Sequence, residues 1–187
     1  MTTEASDFLR RRRSHPPKTL RGPAPSRPEL ADLLTLATRV PDHGKLTPWR
    51  LVVLERATLD RLAPLLADYV AAMGGDEAAV QKARDAFASP VIVAVVSAPL
   101  VDAKVPEWEQ FLSAGAVCLS LVNAALAAGW GASWLSGRAT DPAFAQAHLG
   151  LAAHERVAGL VHIGTRGETA VPDRPRPDVA AITTYLP

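Results

Sequence analysis

The sequence predicts an α+β fold, a sheet layered with helices, from three observations. Four β-rich runs are interleaved with helical segments in an irregular order, unlike the strict alternation of a doubly wound fold. One of them, Val91 to Val96, is purely apolar and bounded by Ser89-Pro90 and Ser97, as a buried strand is. A long segment, Pro106 to Ala128, is small and apolar almost all round in its interior, as a buried central helix is. A length of 187 residues fits one domain, 1–187, whose last part, 165–187, is an extended tail rich in proline and arginine.

The elements follow in order. Residues Glu4 to about Arg13 read as a short helix anchored by Phe8 and Leu9 and stopped by Pro16-Pro17. A proline-rich connection leads to a second helix. Ser26 caps it, with Glu29 completing a capping box, and Leu30, Leu33, Leu34 and Ala37 fall at helical spacing. Pro41 ends it, and Pro41 to Pro48 is a loop feeding a strand from Trp49 to Leu54. Ala57 to Met73 is helical, interrupted or restarted near Pro64, and Gly74-Gly75 breaks it. Asp76 caps a helix to about Phe87. Pro90 to Ser97 is the second strand, and the long helix after it ends at Gly129 and Gly131. A short strand covers Ala132 to Leu135. Asp141 caps a helix with Pro142 in its first turn, closed by Gly150, and Arg156 to Ile163 is the fourth strand.

Composition excludes several classes. Hydrophobic residues make up 48% and charged residues 21% of the chain, enough for a core and unlike a disordered protein. No uninterrupted apolar run reaches the roughly 18–20 residues of a membrane span, so no membrane partner is expected. The net charge of +1 gives no reason to expect nucleic acid. The N-terminal segment lacks the apolar core of a secretory signal, and one cysteine, Cys118, forbids an internal disulfide, so a reducing, cytoplasmic setting is expected. Neither a G-x-G-x-x-G fingerprint nor a P-loop is present. His15, His148, His154 and His162 show no metal-ligand spacing, and Cys118, mid-helix among alanine, valine and leucine, reads as a small buried hydrophobe.

Two segments carry candidate binding chemistry. Arg12, Arg13 and Ser14 place two guanidiniums and a hydroxyl side by side, able to grip a phosphate; a solvated basic face gives the same pattern. The loop Arg39 to Trp49 is polar and bounded by prolines. In it His43 is a candidate donor to a ligand, with turn chemistry as the alternative for Asp42-His43, and Trp49 reads as a core or interface aromatic.

These segments and three downstream motifs resemble the nitroreductase family, closest to its short bacterial branch. The motifs are Lys104-Val-Pro-Glu-Trp108-Glu109-Gln110 with Ser113 and Gly115; Gly129-Trp-Gly131 with Trp134-Leu135-Ser136-Gly137; and Gly159 to Thr165. The resemblance spans roughly residues 8 to 165. It implies a nitroreductase-like fold with a mixed or antiparallel sheet flanked by helices, and a homodimer with the long helix at the interface and FMN bound between subunits. NADH or NADPH would be the hydride donor and a small molecule the electron acceptor, such as a nitroaromatic or a quinone, in a ping-pong scheme. It further implies that Arg12, Arg13 and Ser14 hold the FMN phosphate and ribityl chain. Arg39 and His43 would reach FMN from the partner subunit's side, and Trp134, Leu135, Ser136 and Gly137 would line the ring. Residues Ala124 to Gly129 match a nicotinamide contact, and Arg174 and Arg176 a further phosphate contact or a solvated tail. Leu135 stands where relatives carry arginine, and Thr47 where they carry glutamine. Lys18 and Arg21 are candidates for stabilising negative charge on the reduced ring, exposed loop positions being the alternative. No side chain is expected as an obligate acid or base. Other flavin chemistry on the same fold, such as dehalogenation or enone reduction, and a non-enzymatic module using the basic N-terminus are the alternatives.

Overall fold

The computed structural model describes residues 3–168 and 171–186. Its centre is one four-stranded sheet, β1 (Trp49–Glu55), β2 (Val91–Ser97), β3 (Gly131–Leu135) and β4 (Arg156–Gly164), in the order β1-β2-β4-β3. Every pairing is antiparallel. All seven residues of β2 are buried. Because side chains alternate along a strand, Val91, Val93 and Val95 pack into one core and Ile92, Ala94 and Val96 into the other. A strand covered on both faces has no polar side to show, which is why this run does not alternate in sequence.

The first core lies under α3 (Arg56–Ala72), α4 (Glu77–Asp85) and α6 (Pro142–Leu149), with Phe87 and Phe144 as its largest members. The second lies under α2 (Arg27–Ala37) and α5 (Glu107–Ala127). The remaining helix, α1 (Glu4–Arg11), carries no buried residue.

The Ser26 capping box forms as expected, with the Glu29 carboxylate accepting from Ser26 N at 2.8 Å. Asp76 accepts from Ala79 N at 2.8 Å and starts α4, which ends at Asp85 and leaves Phe87 to the core. Three expectations need correction. α1 stops at Arg11, so Arg12 and Arg13 leave the helix before Pro16-Pro17, and Arg12 is already extended at φ −58°, ψ 134°. α3 runs unbroken through Pro64, whose neighbours bury Leu59, Leu62, Leu66 and Val70 and so hold the helix together by packing. Asp141 makes no side-chain cap on α6; its carboxylate accepts from Arg138 at 3.1 Å instead.

α5 also differs from a helix buried all round. Ala114, Val117, Cys118, Leu121, Val122 and Ala125 pack on the sheet, whereas Trp108 (64% exposed), Phe111, Leu112 and Leu119 face outward with Leu36 of α2. By length and composition this helix could cross a membrane, but half of that stretch is buried inside the protein, on the sheet.

A bidentate ion pair ties the sheet edge to α6. Arg50 of β1 donates to both Glu155 oxygens at 2.7 Å and to Gly150 O at 2.8 Å, and Ala152 N donates to the same carboxylate at 2.8 Å. The Arg50 hydrogen bond, against burial and helped by Ala152, holds the Glu155 carboxyl down at about 2. A carboxyl lowered by folding stabilises above its unfolded range and ceases to as pH falls through the folded value. The expected outcome is that Glu155→Gln costs about 1–2 kcal/mol at neutral pH, the modest figure reflecting a partly exposed Arg50. The gap should close between about pH 5 and pH 2. Urea unfolding midpoints of both proteins across that range check it.

Candidate functional site

The basic segment after α1 lies against the outer edge of the sheet. His15 N donates to Ala132 O of β3 at 2.9 Å, and the next residues, Pro16, Pro17 and Lys18, line a groove of about 1090 Å³. The opposite wall is the segment that leaves β3, Leu135 to Asp141. α3 and α4 contribute Leu66, Val70, Met73 and Lys82, and β4 lays Leu160 and His162 on the floor. The volume is in the range of small-molecule and cofactor sites.

On the segment that leads into the Pro16–Lys18 wall the charges do not cancel. Arg12 and Arg13 each bury an Nε that has no hydrogen-bond partner among the described residues. The Arg12 guanidinium donates to Ser14 Oγ at 3.2 Å. Burial, together with the neighbouring Arg176 and Arg13 charges, lowers the Arg12 pKa. The tail returns here: Asp173 lies 3.6 Å from Arg13 Nε, an ion pair too long for a hydrogen bond, and accepts from Arg176 at 3.3 Å. Unpaired guanidinium N–H groups beside a hydroxyl are what a phosphate ester would satisfy. Beside them the His15 Nδ1 is also buried without a partner, and burial and Arg166 lower its pKa.

Trp134, Leu135, Ser136 and Gly137 fall where β3 runs into the groove wall, and all four are exposed. Gly137 has φ 141°, a conformation that favours glycine and lets the chain turn into the groove. Trp134 points to the other face of the sheet, where its indole occupies the space above Gly159 and approaches Gly115 of α5. Trp134, part of the expected ring-lining segment, thus directs its side chain away from the groove that Leu135 to Gly137 line.

Arg39 and His43 do not join this groove. They sit with α2 and α5, on the other side of the sheet, and both are exposed. Their loop is held firmly. Asp42 accepts from Leu46 N at 3.1 Å and Thr47 N at 2.8 Å. Ser113 Oγ donates to Pro41 O at 2.8 Å and accepts from Trp49 Nε1 at 3.2 Å, so Trp49 anchors the loop from the core. Lys45 at φ 54° and Thr47 at φ 49° are left-handed, a costly conformation for a β-branched residue. His43 Nδ1 is 2.7 Å from Glu109 Oε1.

Other candidates resolve differently. Arg21 turns its guanidinium onto Lys18 O at 2.6 Å and Leu20 O at 3.1 Å, a backbone brace rather than a groove charge. Ala125 and Leu126 are core residues, and Arg166 donates to Leu126 O at 2.8 Å and Trp130 O at 3.1 Å, so the end of α5 is closed by a side chain. Cys118 is buried, and burial pushes its thiol up to about 12. His162, on the groove floor, shares a 2.9 Å hydrogen bond with Ser89, and burial pushes its pKa down to about 4, so the ring is neutral at pH 7. Lys82 was missed in sequence, being one charge on an amphipathic helix; Gly159 was singled out only as part of a motif, although a glycine inside a strand signals a close approach.

The model of the Nitroreductase family matches residues 9–165, most of the chain. The chain belongs to that family. "Putative NAD(P)H nitroreductase YdjA" of Escherichia coli K12 is 33% identical over 184 residues, 98% of this chain and 100% of that one. "Putative NAD(P)H nitroreductase" of Haemophilus influenzae is 36% identical over 186 residues, with the same coverage. Among solved structures, the FMN and NADPH-dependent nitroreductase NfnB of sphigopyxis sp. strain HMH superposes with a TM-score of 0.77 at 19% identity, covering 98% of this chain and 99% of that one. That likeness establishes the nitroreductase-like α+β fold.

A Cβ on Gly159 would collide with the Trp134 indole and lie 2.9 Å from Cys118 Sγ. Gly159→Val is therefore expected to cost about 1–3 kcal/mol through overpacking. Denaturant unfolding measures the loss, and a changed tryptophan emission reports Trp134 leaving its seat.

Proposed function

We propose that this nitroreductase-family protein is an FMN-dependent oxidoreductase. It would carry hydride from NADH or NADPH to a small electron-poor acceptor, such as a nitroaromatic or a quinone, in two half-reactions. The observation that carries the proposal is the pair of buried guanidinium nitrogens of Arg12 and Arg13, without hydrogen-bond partners among the described residues, on the segment that leads into the Pro16–Lys18 wall of a groove of about 1090 Å³. The curated relatives' names and the FMN- and NADPH-dependent fold neighbour support the same chemistry.

FMN, when bound, supplies the acceptance and release of hydride. The chain's residues supply grip and charge. Arg12, Arg13 and Ser14, with Arg176 beside them, would take the phosphate. The chain from Leu135 to Gly137 would line the ring. Lys18 and Lys82, both lining the groove, would favour negative charge on its edge. Trp134 would act from behind this segment, packed on Gly159, and His162 is a neutral floor residue. The proton needed by the reduced acceptor comes from water.

Homodimerisation belongs to the same proposal. Trp108, Leu112 and Leu119 of α5 and Leu36 of α2 are exposed apolar side chains on one layer. A second copy packed there would cover them, and by the family resemblance its own Arg39 and His43 would reach around the sheet to this chain's groove. A reducing, cytoplasmic setting suits the single buried thiol.

Purified protein should be yellow, and FMN should be the small molecule released on denaturation. Protein that stays colourless and leaves added FMN fluorescence unquenched would sink the proposal. Arg12→Ala combined with Ser14→Ala is expected to weaken FMN binding by about 3 kcal/mol, since hydrogen bonds to charged groups are worth about 1.5–3 kcal/mol each; fluorescence titration measures it. Leu135→Arg is expected to shift kcat/KM across a panel of acceptors at least fivefold while FMN affinity changes less than threefold.

A further inference from the structure

We infer that Glu109 is a positioning residue for the flavin site of the second subunit, acting through His43. This rests on the FMN proposal above and adds a residue that the proposal did not require.

The geometry is specific. Glu109 lies in the first turn of α5, where the helix dipole favours its carboxylate. Its Oε1 is 2.7 Å from His43 Nδ1, a contact short enough for a charge-assisted hydrogen bond. The carboxylate can only accept, so Nδ1 must donate, which fixes the ring's tautomer. The opposite nitrogen, Nε2, then points away from Glu109. The His43 side chain is 65% exposed, so most of the ring stands clear of the protomer.

Everything else about His43 is already fixed. The loop backbone is held by Asp42 to Leu46 and Thr47, and its entry by Ser113 to Pro41. Lys45 and Thr47 carry left-handed strain that these bonds must sustain. The rotation and tautomer of the imidazole are the freedoms left, and the contact with Glu109 removes both. An ordinary exposed ion pair is worth little to stability. Here the pair ends a chain of constraints that presents one ring nitrogen at a fixed place, next to the apolar α5 face where the second copy is proposed to sit. The acid on one subunit would thereby tune a hydrogen bond to the flavin of the other. Arg39, just before this loop, is exposed and has no side-chain hydrogen bond or ion pair among the described residues.

The test has two readouts. In full-length protein without added flavin, nitrogen-15 NMR at a pH where the ring is neutral should show His43 as the Nδ1–H tautomer. Glu109→Ala should return it to the Nε2–H-rich mixture of a free imidazole, while Glu109→Gln, which keeps an acceptor oxygen, should hold it. FMN titration should give a dissociation constant roughly fivefold to tenfold higher for both Glu109→Ala and His43→Ala, with the double variant no worse than either single one. Glu109→Gln should recover most of the affinity.

A His43→Ala loss that Glu109→Ala does not share, or losses that multiply in the double variant, would overturn the role of Glu109 while leaving the FMN proposal standing. Wild-type protein that does not bind FMN would overturn both. Binding that is indifferent to His43→Ala would remove His43, and Glu109 with it, from the site.

Discussion

The architecture depends on one strand. β2 is buried from Val91 to Ser97 and hydrogen-bonded on both edges, to β1 and to β4. A strand without a wet side requires helices above and below it, and the chain supplies two layers: α3, α4 and α6 over one face, α2 and α5 over the other. With the faces closed, a binding groove can open only where a layer meets an edge of the sheet. Here that edge is β3. It is the shortest strand, Gly131–Leu135, and the basic segment after α1 reaches it through a single backbone bond from His15. Rigid strands therefore hold a groove whose walls are loops, an arrangement suited to binding.

Much of this was legible in the residues. The four strands and the order of the helices follow from periodicity and capping, because Ser26, Asp76 and Gly150 signal local backbone geometry that does not depend on the rest of the chain. Pro64 and Asp141 were misread for the opposite reason. A proline inside a helix is a local penalty that burial of Leu62 and Leu66 outweighs, and a cap is lost when a neighbouring guanidinium offers the carboxylate a charged partner. Composition also overstated the burial of α5. A run of small apolar residues says that the surroundings are apolar, but not whether they belong to the same chain.

The site was legible in part. Arg12, Arg13 and Ser14 stand together, as three consecutive residues must. The burial of two of their Nε atoms without hydrogen-bond partners is a tertiary fact, set where the chain turns out of α1 and the tail returns, which periodicity cannot encode. Leu135 to Gly137 follow from the end of a strand. Arg39 and His43 lie across the sheet from the groove, so within one chain the expected constellation stays divided. Lys82 and the brace formed by Arg21 are tertiary facts: one side chain is turned into the groove and the other onto backbone carbonyls.

The returning tail sets an electrostatic balance beside the basic segment after α1. Arg12, Arg13 and Arg176 bring three positive charges together and Asp173 brings one negative charge, leaving an excess of two. A phosphate monoester carries a charge of about −1.5 to −2 at neutral pH, so it would neutralise the cluster without displacing Asp173. Riboflavin, with no phosphate, would leave the guanidiniums uncompensated. The cluster is thus matched in charge to a phosphorylated flavin rather than to the free vitamin.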